Sequence, residues 1–202
     1  MNNIIVEDIK SNKDIYIFDN SDNDRVYNVD NDCLLRVFHY NVNANSKVEI
    51  NLNNNNARVE YYYSTINYDN NLHNITVKHN ANSTASNIYN HGVNVGKNKL
   101  HFDVCGQVIK DKEKCTCNQE NQIINLKDGN STILPILLID NYDVSSSHSA
   151  YIGEFSEDKL FYLMSRGIDR NMATRLLLKA LLVNVNNDSK ELQEFTKEIE
   201  KI

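Results

Sequence analysis

Residues 143–180, DVSSSHSAYIGEFSEDKLFYLMSRGIDRNMATRLLLKA, hold the change of pattern that divides this chain. Upstream of Ser156 the residues suit strands; from Ser156 onward they suit helices. Ser156 is placed to cap a helix, and Glu157 and Asp158 put negative charge in the first turn, where the helix dipole favours it. That helix is predicted to run through Met164 and to stop at Gly167, a residue suited to a left-handed C-terminal cap. Asp169 can cap a second helix, with Met172, Ala173, Leu176, Leu177, Ala180 and Leu181 forming one apolar face. Asp188 with Glu191 resembles a capping box opening a third helix, with Leu192, Phe195, Ile199 and Ile202 on one side.

Working back from Ser156, residues 34–155 read as many short strands. Val48, Ile50 and Leu52 alternate with polar neighbours, as do Val59, Tyr61 and Tyr63, then Ile75 and Val77, then Leu100, Phe102 and Val104. Period two places one side of each strand in a core and the other in water. Gln122–Leu126 and Ile136–Ile139 are continuous apolar runs suited to more buried strands. Apart from Asp128-Gly129 there is no hairpin signal, and alternation alone leaves a sandwich, a barrel and a β-solenoid open.

The breaks between strands are made of asparagine. The 202 residues include 34 asparagines, against six glycines and one proline. Asn tolerates left-handed backbone angles and makes its own local turn hydrogen bonds, so it can punctuate strands where Gly and Pro are scarce. The formal charge of −6, without a basic stripe, argues against a nucleic-acid partner. No apolar run approaches the ~20 residues of a membrane span, which argues against a membrane role. The first residues carry no basic-then-apolar signal, so the expected location is the cytoplasm, where Cys33, Cys105, Cys115 and Cys117 would be reduced thiols. There is no phosphate loop, no Gly-x-Ser-x-Gly and no C-x-x-C zinc spacing, so neither an ATPase nor a hydrolase is expected.

The opening stretch also carries a resemblance. His148, Ala150, Gly153, Leu160, Phe161, Tyr162, Leu163, Ser165, Arg166, Gly167, Ile168 and Ala173 follow in order across a strand–helix–helix junction. Upstream lie Asn118-Gln119 before an apolar strand and Pro135 opening the strand before the histidine. This pattern resembles the SufB/SufD family, scaffold subunits of the SUF iron–sulfur cluster assembly system, and is more SufD-like than SufB-like. The resemblance implies a right-handed parallel β-helix core, here residues 1–155, followed by a C-terminal helical domain, residues 156–202. The N-terminal helical domain usual in the family is absent from these residues, so a member reduced to core and C-terminal helices is the expectation. It further implies a non-catalytic subunit that binds a SufC-like ABC ATPase through its C-terminal helices, with Phe161, Tyr162, Arg166 and Ile168 as candidate contacts. A SufB-like subunit, or a second copy of the chain, would pair through edge strands, and an iron–sulfur cluster would be held transiently between the two. Flavin, associated with some complexes of the family, is left open.

Soft thiolate or imidazole ligands are what a nascent cluster needs. His148 matches the family's histidine; the plain alternative is an imidazole satisfied inside a Ser-rich strand. The position of the SufB-type cysteine, counted back from Pro135, falls on Glu120, which favours the SufD-like assignment. Cys115 and Cys117 form a C-x-C pair whose side chains share one strand face and could share a metal; the plain alternative is a pair of exposed thiols. Cys105 alternates with polar residues and should face outward, His79 falls in the apolar phase, and His39, His73, His91 and His101 read as surface or turn residues. The rival functions are a β-solenoid carbohydrate-active enzyme or acyltransferase, and a purely structural paralogue with an inert His148.

Overall fold

In the computed structural model, which describes residues 4–183 and 188–202, twelve strands precede three helices. The strands are β1 (Ile4–Ile9), β2 (Lys13–Asp19), β3 (Asn23–Val29), β4 (Leu34–Val42), β5 (Ser46–Leu52) and β6 (Arg58–Asn67). They continue as β7 (Asn71–His79), β8 (Ala85–Asn94), β9 (Lys99–Val108), β10 (Cys115–Asn125), β11 (Asn130–Ile139) and β12 (Val144–Gly153). Odd strands form one six-stranded sheet and even strands another, each in chain order. Every ladder is parallel. Consecutive strands therefore lie in different sheets, the chain winds as a two-sheet β-solenoid, and Asp128-Gly129 is a corner between sheets rather than a hairpin. The solenoid begins at Ile4, thirty residues before the stretch whose pattern announces it.

The four corners leading into β4, β6, β8 and β10 repeat the same backbone device. Asp32, Asn56, Ser83 and Lys114 all have φ between 56° and 60°. Each donates its N–H to a carbonyl of the following turn: Asp32 to Asn55 (3.2 Å), Asn56 to Asn82 (3.2 Å), Ser83 to Glu113 (2.9 Å) and Lys114 to Asp143 (2.7 Å). Asn and Asp meet this left-handed demand at low steric cost, and Asn56 is one use of the abundant asparagines. A second use lies within the strands. The Asn51 amide donates to Asn28 (3.1 Å), which donates to Asp8 (2.9 Å), and Asn90 donates to Asn121 (2.7 Å) one turn above it. Parallel in-register strands stack identical amides at the strand spacing, so each satisfies the next. Asparagine is both the turn residue and a ladder residue.

Between the sheets lies a core of Leu35, Val37, Val48, Ile50, Leu52, Val59, Ile75, Phe102 and their neighbours. It is also polar in places. His39, His73 and His79 are fully buried and His91 nearly so, against their surface or turn assignment from sequence for all but His79. His39 sits between Asp19 (2.9 Å) and the Tyr61 hydroxyl (2.8 Å), and Arg25 holds both Asp19 oxygens (2.8 and 2.9 Å). Burial pushes the Asp19 carboxyl up, but His39 and Arg25 together outweigh it and hold the group below its usual range.

A second core lies outside the even-numbered sheet. There α2 (Arg170–Leu182) and α3 (Lys190–Ile199) cover Phe38, Tyr40, Ile66, Val93 and Ile124 with Leu178, Leu182, Leu192, Phe195 and Ile199. Tyr40 stacks on Phe195 with ring centroids 5.1 Å apart. The helices thus lie against the flank of the solenoid rather than over its end. The first helix, α1 (Glu157–Met164), ends as predicted at Gly167, φ 85°, although the Ser156 side chain makes no capping hydrogen bond. Asp169 caps α2 through the N–H groups of Asn171 and Met172, and the cap of α3 is Ser189, one residue beyond Asp188.

Candidate functional site

The last turn of the solenoid is the least covered part of the sheets. β12 pairs with β10 on one side only, and Tyr151 and Ile152 stand exposed, as do Leu134 and Leu138 on the terminal strand β11. Pro135 belongs here because an edge strand tolerates the missing donor.

Register decides where His148 points. His148 pairs with Gln119, Gln119 with Ile88, Ile88 with Tyr61 and Tyr61 with Val37. The four residues beneath His148 are buried, so its ring stands on the interior face of a turn that has no further turn above it. Glu120 belongs to the neighbouring column, Tyr16–Phe38–Tyr62–Tyr89, whose rings stack at 5.0, 5.2 and 5.0 Å on the outer face. Its carboxylate lies 3.3 Å from Nε2 of His91, whose Nδ1 lies 2.9 Å from the Leu181 carbonyl at the end of α2. Glu120 therefore ties the sheet to the helices, and it does not share a face with His148.

Cys115 and Cys117 share the interior face, as C-x-C on a strand requires, but both are 1% exposed rather than surface thiols. The Cys115 Sγ touches the Thr84 hydroxyl (3.3 Å), which lies 2.8 Å from Nδ1 of His79, and Nε2 of His79 is 2.9 Å from Ser86. Burial pushes the Cys117 thiol up and the His79 imidazole down to about 4, so both are neutral at pH 7. Gly106 makes room for Cys117: a β-carbon there would stand 2.4 Å from the sulfur. All four cysteines are free, and Cys105 is half-buried in the outward phase. Among the described residues no group of three or more His, Cys, Asp or Glu side chains is placed to hold a metal ion. The interior partner of His148 that sequence counting misses is Gln119, 4% exposed, with its Oε1 unpaired.

On the helices, Phe161 is 73% and Tyr162 58% exposed, and Arg166 lies over the Tyr162 ring at 4.9 Å while bonding its hydroxyl at 3.0 Å. Ile168 is half-buried at the α1–α2 junction. The buried face of α2 is displaced from the one read from its sequence. Of that set only Ala173 is buried, Leu177 and Leu181 are half-buried, and Met172, Leu176 and Ala180, four residues apart, face solvent; Leu178 and Leu182, outside the set, are buried instead. No helix among the described residues is long and apolar enough to cross a membrane.

These features define a parallel β-solenoid protein with an uncovered last turn and flanking C-terminal helices. The family description SUF system FeS cluster assembly, SufBD core domain, matches residues 23–181, and the chain belongs to that family. It is SufD-like, being 34% identical over 102 residues, half of this chain, to the iron–sulfur cluster assembly protein SufD of Bacillus subtilis. It is 40% identical over 67 residues, 33% of this chain, to a SufBD family protein of Pyrococcus horikoshii, and 25% identical over 138 residues, 66% of this chain, to one of Porphyra purpurea. The matched stretches span 23%, 14% and 28% of those relatives' own lengths.

Proposed function

We propose that this chain is a non-catalytic scaffold subunit of a SUF-type assembly complex, acting in the cytoplasm. The observation that carries the proposal is that Phe161, Tyr162, Met172 and Leu176 are all exposed on the two helices matched to the family. Covering exposed apolar side chains is favourable, and large aromatic side chains beside Arg166 suit a protein partner. The partner proposed is a SufC-like ABC ATPase. Residues 156–202 would then be the docking unit and residues 1–155 the scaffold.

The uncovered β11–β12 turn is proposed as the surface for a SufB-like subunit or a second copy of the chain, since an open strand edge pairs readily with another. His148 would supply one ligand to a transient iron–sulfur cluster, the cargo of the system, with the other ligands coming from the partner. Cys115 and Cys117 are too enclosed to serve without an opening of the turn. Co-expression with the ABC ATPase of the same system tests the reading: wild type retains the ATPase on purification, and Phe161→Glu or Arg166→Glu releases it. Retention by both variants would sink the docking assignment.

A further inference from the structure

We infer that the cleft between α2 and the corner after β10 is a binding site for a small organic phosphate of the mononucleotide class. The cleft encloses about 450 Å³, within the ~300–1,000 Å³ of ligand pockets. It lies on the face of α2 carrying Arg170, Thr174 and Arg175, away from Met172 and Leu176, so it is separate from the proposed ATPase surface. Lys127 and Lys201 complete a set of four cations around it. Two are already matched: Arg170 by Glu157 and Lys201 by Glu198. Lys127 and Arg175 have no carboxylate at ion-pair distance among the described residues, and the buried Nε of Arg175 has no hydrogen-bond partner. Glu154 also lines the cleft, and Glu200 feels the Arg175 charge while bonded to Lys179.

A planar guanidinium with a free N–H, beside a second free cation, suits a phosphate. Tyr68, Phe155 and Leu126 supply an apolar wall against which a ring can lie. The helix N-terminus plays no part, since the Asp169 carboxylate already takes the N–H groups of Asn171 and Met172.

Titration of the full chain with AMP, adenosine and inorganic pyrophosphate, followed by calorimetry and amide NMR, tests this. AMP is expected to bind saturably and more tightly than either of the others, moving amides near Lys127 and Arg175. Arg175→Gln and Lys127→Glu should each weaken AMP by about tenfold or more, while Lys47→Gln on β5, exposed and outside the cleft, changes nothing. Lys127 is exposed, so its variant decides the matter if Arg175→Gln perturbs folding. No saturable AMP binding, adenosine or pyrophosphate binding as tightly as AMP, or a folded Lys127→Glu that binds like wild type would each overturn the assignment. None of these outcomes touches ATPase retention.

Discussion

His148 and Glu120 lie one position out of register on adjacent strands, and they stand on opposite faces of the same sheet. A ligand placed at position 120 therefore cannot act with His148 within one chain. Glu120→Cys should bind no more iron than wild type after anaerobic reconstitution with iron and sulfide. Gln119→Cys, directly paired with His148, should bind more and lose the gain when His148→Ala is added. Equal gains at both positions, read from cluster absorbance, would refute the facing assignment.

His73 lies flat on Tyr63 with ring centroids 3.6 Å apart, fully buried, and neither ring nitrogen has a hydrogen-bond partner. Asn90 and the Ser46 backbone lie near enough to favour its protonation, yet burial dominates and holds its pKa well below the ordinary value. His73→Phe keeps the stacked ring and removes two unpaired polar atoms. It should raise stability by about 1–3 kcal/mol, measured by urea unfolding. A destabilised variant would imply a partner for the imidazole.

Acid sensitivity follows from the same burial. His79, with its pKa lowered from 6.5 to about 4, binds fewer protons folded than unfolded between those values. Its contribution is present above pH 6.5 and is lost as pH falls toward 4, amounting to about 3 kcal/mol. His39 and His73 are displaced in the same direction, so their contributions are lost on acidification too. Unfolding free energy should therefore decline below pH 6.5, with a shallower slope in His79→Asn. An unchanged slope would contradict a neutral buried imidazole.

Gly106 is held by volume rather than by backbone angle, for a β-carbon would also meet Gln119 at 3.1 Å and Leu137 at 3.2 Å. Gly106→Ala should cost about 1–3 kcal/mol, and Cys117→Ala introduced with it should recover part of that loss. Strict additivity of the two substitutions in denaturant midpoints would show that they do not share the space.

Strands buried on one face were legible because their side chains alternate, as in Val48, Ile50 and Leu52. In β4, by contrast, Val37 to Asn41 are all buried, one face by the opposite sheet and the other by α3, so period two disappears. β1 fails for the opposite reason: Ile4, Ile5 and Val6 are all exposed. His79 was legible from its place in the apolar phase, but the other buried imidazoles and the amides escaped notice because hydropathy assigns such groups to the surface. For α2 the apolar character was visible, but the buried face is shifted to Leu178 and Leu182, and only packing settles that Met172 and Leu176 turn outward. The likeness of residues 143–180 to the family placed His148 on the strand before α1. Which residue faces it depends on register, and register is a relation between strands, not a property of either one.

The turns of the solenoid are unequal. Ile4 pairs with Asp24, Asn23 with Ser46, Ser46 with His73, Asn71 with Leu100 and Lys99 with Asn130, so the repeat grows from 20 residues to 31. The molecule is a taper, with a narrow first turn and a broad last one. Stacking copies head to tail would set the broad end against the narrow end, a mismatch at every junction, and it is that arrangement which runs on into fibres. Broad end against broad end matches in size and closes after two. A solenoid with bare strand edges at its broad end is in this way steered toward finite pairing, by the unequal lengths of its turns.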